Sequence, residues 1–215
     1  MLNVFFDTQY CETEQGFDTF VKARHVASLL DAQPVRGARL TMPAPASAGD
    51  LALVHDEHYI EAVQTGEPSS LAKSNGVGWD PLVFNAASWS TGGAVSAALD
   101  ALATGGIAGS LSSGLHHAYA DRGYGYCTFN GLALAAVRAR QEGAERVLIL
   151  DLDAHCGGGT ASIISGRRGI EQVDVSVVTF DWYAPTAEAG QKMSTASSYL
   201  ADVASELDDV RDPGG

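Results

Sequence analysis

The chain is predicted to fold as an α/β protein, a mainly parallel sheet with helices on both sides. Two observations predict it. Short strand-like apolar runs alternate with longer stretches of helical periodicity along the whole sequence, the order in which crossover helices join parallel strands. The run Val147, Leu148, Ile149, Leu150 is apolar without a break until Asp151, as expected of a strand covered on both faces. With 215 residues and no repeat or low-complexity linker, one domain spanning residues 1–215 is expected.

Residues 3–6 are a first apolar run. Asp18 can cap a helix whose apolar positions Phe20, Val21, Ala27, Leu29 and Leu30 recur at roughly helical spacing, and Pro34 and Gly37 end it. Residues 39–42 are a second strand. A helical pattern starts at Asp50 and runs through Leu51, Leu53, Val54, Tyr59, Ile60 and Val63. It is interrupted near His55, and the segment holding His55 and His58 reads as helix surface. Residues 65–80, rich in Gly, Ser and Pro, read as a loop. Residues 85–103 form an Ala-rich helix in which Gly92 and Gly93 mark a close approach of another element. A third strand covers residues 107–111, and a helix over 130–142 ends at Gly143. After the fourth strand, a fifth covers 173–180 and a last helix 195–209.

Composition excludes several classes. The chain is 46% hydrophobic and 18% charged, which rules out a disordered polypeptide. It has no stretch of about 18 uncharged apolar residues that would span a membrane. A net charge of −13 repels phosphate backbones and anionic lipid, so neither nucleic acid nor membrane is expected as a partner. The opening residues lack a basic region and meet Asp7 at once, so no signal peptide and a cytoplasmic location are expected. Cys11, Cys127 and Cys156 do not make a disulfide framework; buried thiols are expected at Cys11 and Cys127.

Two segments carry chemistry. Ligands bind beyond the carboxyl ends of the strands in such sheets. There the fourth strand delivers Asp151, Asp153 and His155, which strand alternation puts on one side. Two carboxylates and an imidazole suit a divalent metal such as zinc. The alternative is that Asp151 caps a turn and His155 is an ordinary loop histidine. The second segment, Ser113 to Ala118, holds His116 and His117 just after the third strand. In a loop both can reach one site, and a histidine pair suits proton transfer. Residues 123–130 set glycines beside aromatics before a helix, either a flat-walled slot or an aromatic turn packed on the core.

These blocks together resemble the histone deacetylase superfamily, which includes bacterial acetylpolyamine amidohydrolases and shares the arginase fold. The resemblance rests on Leu53 to Ile60, on Gly114 to Ala118, on Gly125, Tyr126, Cys127, Phe129 and Asn130, and on Leu150 to Gly159. It implies a three-layer α/β/α fold and zinc-dependent hydrolysis of the acetyl amide of acetyl-lysine or acetylpolyamines. By that resemblance Asp153 and His155 are two of three zinc ligands. His116 and His117 are the proton-transfer pair, with Asp151 orienting His116. Gly125 and Tyr126 form the wall of the acetyl-lysine tunnel. A monovalent cation near Asp151 is a further family feature.

The chain also departs from the family. The family's third zinc ligand and its carbonyl-polarising tyrosine lie further along, and neither motif occurs in the 60 residues after His155. A domain lacking the C-terminal part of the fold is therefore expected, with two strands missing between the third and fourth. The exposed sheet edge would favour self-association into a homo-oligomer. Cys156 stands where relatives carry a histidine. Gly158 replaces an Asp or Asn that supports the second histidine, so His117 is expected to be less well oriented. Asp181 stands where relatives carry a histidine, and it or another subunit is the candidate for completing the zinc site. The alternative function is a catalytically inactive scaffold for binding or assembly. An arginase-like manganese hydrolase fits the fold but not the motifs.

Overall fold

The computed structural model describes residues 1–16, 18–113 and 115–211. Its strands form two three-stranded sheets, each wholly parallel. In the first, β1 (Leu2–Phe5) lies between β2 (Ala38–Thr41) and β3 (Ala108–Ser110). In the second, β4 (Val147–Asp151), β5 (Ile170–Ser176) and β6 (Ala189–Met193) lie side by side in sequence order. The helices are α1 (Asp18–Ala32), α2 (Ala48–Leu51), α3 (Glu57–Thr65), α4 (Ser69–Ala72), α5 (Val83–Thr104), α6 (Gly131–Gln141), α7 (Gly158–Ile164) and α8 (Tyr199–Arg211). With the sheets they make the three-layer α/β/α architecture that alternating strands and helices imply. Among the described residues, no helix is long and apolar enough to cross a membrane.

Local sequence explains most boundaries. Helix α2 starts at a capping box: Ser47 Oγ accepts from the Asp50 backbone N–H, and Asp50 Oδ2 accepts from that of Ser47. The cap is thus Ser47, three residues before the expected start. Asn130 caps α6 by accepting from the Ala133 N–H at 3.0 Å. A Cβ at Gly92 would collide with the Ala44 carbonyl, and one at Gly93 with the Tyr10 hydroxyl. The expected close approach on α5 is therefore real. The main core gathers Tyr59, Val83, Phe129, Leu134 and Ile164, all essentially without solvent exposure, between α3, α5, α6 and α7. All three cysteines are free and buried, as expected for Cys11 and Cys127.

Several expectations are corrected. Strand β4 is covered on one face: Ile149 and Asp151 are buried, while Leu148 and Leu150 are each 38% exposed. Strand β5 begins at Ile170 and ends at Ser176, before the expected residue 180, because Val177 and Val178 turn to donate to the Ala154 carbonyl. The short helix α4 breaks the predicted loop at 65–80. Helix α7 starts inside the glycine run, where helix propensity is low and buried Ile163 and Ile164 supply the stabilisation. The edge strand β6 has no apolar alternation to announce it and is held by its ladder to β5.

Candidate active site

The segment after β3 is clamped from two directions. The Thr160 N–H donates to the His116 carbonyl at 2.9 Å. Asn130 Nδ2 lies within hydrogen-bond distance of the same carbonyl (3.3 Å), the Ala118 carbonyl (3.0 Å) and Thr160 Oγ1 (3.0 Å). Gly159 lets α7 press against this segment, since a Cβ there would lie 2.5 Å from the His117 carbonyl oxygen. The first turns of α6 and α7 thus bring the histidine loop to the end of β4, although no ladder joins β3 to β4 among the described residues.

At that strand end Asp151 Oδ2 accepts from His116 Nδ1 at 2.8 Å, and Asp151 Oδ1 from the Asp153 N–H at 3.0 Å. The other ring nitrogen, His116 Nε2, lies 3.7 Å from Asp153 Oδ1. Asp153 Oδ1 is in turn 2.9 Å from His155 Nδ1. The two histidine rings of the pair lie 3.9 Å apart, centroid to centroid. Burial works against a charged His116, but the Asp151 hydrogen bond and the nearby charges of Asp151, Asp153 and Asp174 outweigh it and raise its pKa. For Asp153, partial burial is outweighed by the His155 backbone N–H and the His116 charge, which lower its pKa.

His116, His117, Asp151, Asp153 and His155 all line one cavity of about 710 Å³. Tyr124 and Phe180 stack in parallel along its wall, 5.0 Å apart. Gly125 and Tyr126 also line it. A Cβ at Gly125 would lie 2.5 Å from His117 Cδ2, and its φ of +50° favours glycine besides. Lys22, Ser74, Asn75 and Gly76 line it too.

Asp153 and His155 are donor types that zinc takes, and their ligating atoms converge. Among the described residues no third His, Cys, Asp or Glu joins them. Asp181, the in-chain candidate, is turned elsewhere: its carboxylate accepts from His117 Nδ1 (2.9 Å), the Tyr119 hydroxyl (2.6 Å) and the Gly159 N–H (3.2 Å). Two donors fit part of a zinc site and fall short of the three protein ligands such sites normally have. The same contacts correct a second expectation, because His117 does have a carboxylate partner although position 158 is glycine.

His55 is a further correction. It is 4% exposed rather than on a helix surface. Its Nδ1 meets the Tyr119 carbonyl and its Nε2 accepts from the Asn130 N–H, each at 2.9 Å. It therefore braces the loop leaving His117 against the cap of α6. The break in helical periodicity at this residue was the only local sign of it.

Residues 19–198 of this sequence match the histone deacetylase domain family. The chain belongs to the histone deacetylase family. This deacetylase-family chain is 35% identical over 161 residues to the histone deacetylase-like amidohydrolase of Pseudomonas aeruginosa, a match covering 71% of the chain and 41% of that relative. It is 35% identical over 149 residues to the polyamine deacetylase of Mus musculus, covering 64% of the chain and 21% of that relative. The chain thus spans about two fifths of the length of the first relative and about one fifth of the second. An acetylpolyamine aminohydrolase from Burkholderia pseudomallei shares the fold, with a TM-score of 0.76 at 17% identity, over 98% of this chain and 78% of that one.

Proposed function

We propose that the cavity is the acyl-amine site of a zinc-dependent deacetylase that acts on acetyl-lysine or acetylpolyamines. One observation carries this reading: His116 Nε2 and Asp153 Oδ1, from different segments, meet at 3.7 Å inside one cavity. Asp153 and His155 would hold a zinc ion together with a third donor from outside the described residues. When bound, that ion would act as a Lewis acid on the acyl oxygen.

The chain's own residues would handle protons and orientation. Asp151 accepts from His116 Nδ1 and so favours a protonated ring, which serves to donate to the departing amine nitrogen. His117, with Nδ1 taken by Asp181, presents Nε2 to accept the proton of the attacking water. The acyl carbon gains the water oxygen, the C–N bond breaks, and acetate and a free amine leave. The Tyr124–Phe180 stack with Gly125 and Tyr126 offers flat walls to an extended aliphatic amine.

The two-donor geometry favours one alternative, a scaffold in which the ancestral site no longer turns over. Metal content measured together with molecular mass in solution separates the two. The enzyme reading expects about one zinc per chain, abolished by Asp153→Ala, with the third donor supplied by an assembly. A zinc-free protein under zinc-replete conditions counts against it.

A further inference from the structure

We propose that three arginines around the amino ends of β4 and β5 form a binding site for a phosphate dianion, free or as a monoester. A cleft of about 270 Å³, separate from the catalytic cavity, is lined by Val137, Arg140, Gln141, Arg167, Arg168 and Ile170. Arg140 lies in the last turn of α6, and Arg167 and Arg168 lie in the turn between α7 and β5. The catalytic groups stand at the carboxyl end of β4, so the two cavities occupy opposite ends of this sheet.

Charge singles the cleft out. Acidic side chains outnumber basic ones by 26 to 13 along the chain, yet these three cations share one cleft without an acid. Among the described residues no carboxylate lies within ion-pair distance of Arg140, Arg167 or Arg168. The neighbouring acids Glu142 and Glu171 face Arg138 and Arg146 instead, at 3.9 Å and 2.9 Å. Arg140 and Arg167 bond only backbone. Arg140 Nη1 donates to the Ala144 and Glu145 carbonyls. Arg167 donates through Nε to the Ile163 carbonyl and through Nη2 to that of Leu53, each at 2.9 Å. Such bonds cap helix ends and hold both side chains in place. They leave Nε and Nη2 of Arg140, Nη1 of Arg167 and the whole Arg168 guanidinium without a partner among the described residues.

The backbone makes room for this grouping. A Cβ at Gly169 would lie 2.9 Å from the Arg140 guanidinium carbon, and the φ of +80° there favours glycine besides. The glycine thus lets Arg140 lie against the turn that carries the other two arginines. That turn is closed by the Ile170 N–H donating to the Arg167 carbonyl at 3.2 Å. Guanidinium forks match oxyanions, and three of them around one cleft suit a tetrahedral dianion better than a planar monoanion. The same helices reach the histidine loop. Asn130 at the start of α6 and Thr160 in the first turn of α7 clamp the His116 carbonyl, while Arg140 and Arg167 stand at the far ends. An anion bridging these arginines ties α6 to α7 at the end remote from the site.

Isothermal titration of the full chain with inorganic phosphate and with glycerol 1-phosphate, at constant ionic strength, tests this without any turnover. The wild type is expected to bind inorganic phosphate at one saturable site, and saturation is expected to raise its melting temperature by several degrees. Comparable affinity for the ester assigns the site to an esterified phosphate, and its exclusion assigns the site to the free ion. Arg168→Glu removes no hydrogen bond or ion pair among the described residues. It is expected to keep the phosphate-free melting temperature and to bind phosphate about tenfold more weakly or worse. Arg36→Glu makes the same change of net charge from the exposed loop between α1 and β2 and is expected to bind as the wild type does. No saturable phosphate binding by the wild type, unaltered binding by Arg168→Glu, or an equal loss in both variants overturns the proposal.

Discussion

Asn130 and Thr160 meet through their side chains at 3.0 Å, and both also bond the carbonyl of His116. This contact ties the cap of α6 to the first turn of α7 and fixes the histidine loop between them. The site is therefore assembled by helix starts rather than by neighbouring strands.

Replacing Asn130 with Ala removes the α6 cap and strips the Ala118 carbonyl of a buried donor. A loss of roughly 2–4 kcal/mol is expected from those two effects together. Denaturant unfolding measures it. A change below about 1 kcal/mol would mean that the His116 loop is held by other contacts.

Gly125→Ala should leave the fold largely intact and disable the site. Its Cβ would press on the His117 ring, and a positive φ adds strain of about 1–2 kcal/mol. The expected result is a displaced His117 ring resonance in proton–nitrogen correlation NMR, with a modest drop in melting temperature. A wild-type His117 signature would show that the ring can yield without cost.

Two buried groups set opposing pH dependences. Burial pushes the His55 pKa down from 6.5 to about 4. The unfolded chain takes up that proton first, so stability is intact above pH 6.5 and falls by about 3 kcal/mol as the pH drops towards 4. Burial pushes the Asp174 pKa up from 3.8 to about 6. Here the folded chain keeps its proton longer, so stability falls by about 3 kcal/mol as the pH rises over that range. The wild type should be nearly flat between pH 4 and 6, while Asp174→Asn should lose about 3 kcal/mol on acidification over the same window. Equilibrium unfolding across pH checks this, and a flat Asp174→Asn profile would refute the burial assigned to His55.

Much of this was legible in the sequence, and the reasons differ between residues. Asp151, Asp153 and His155 are announced by a strong apolar strand and by its carboxyl end, a local signal. Gly92 and Gly93 announce a close approach because a helix interior otherwise disfavours glycine. Asp181 is different: its bond to His117 spans 64 residues, and no periodicity encodes it. His55 likewise reaches Asn130 across 75 residues, so its burial emerges only when α3, α6 and the histidine loop pack. Strand β6 and helix α7 owe their existence to tertiary context, which overrides weak local preference.

The most direct measurement is acetate release from an acetyl-lysine reporter and from an acetylpolyamine, by the zinc-supplemented chain and by His116→Ala. Release by the wild type, with a drop of at least about a hundredfold in the variant, is expected if the clustered imidazoles and carboxylates form one hydrolytic centre. No acetate from either protein, or equal rates from both, would contradict it.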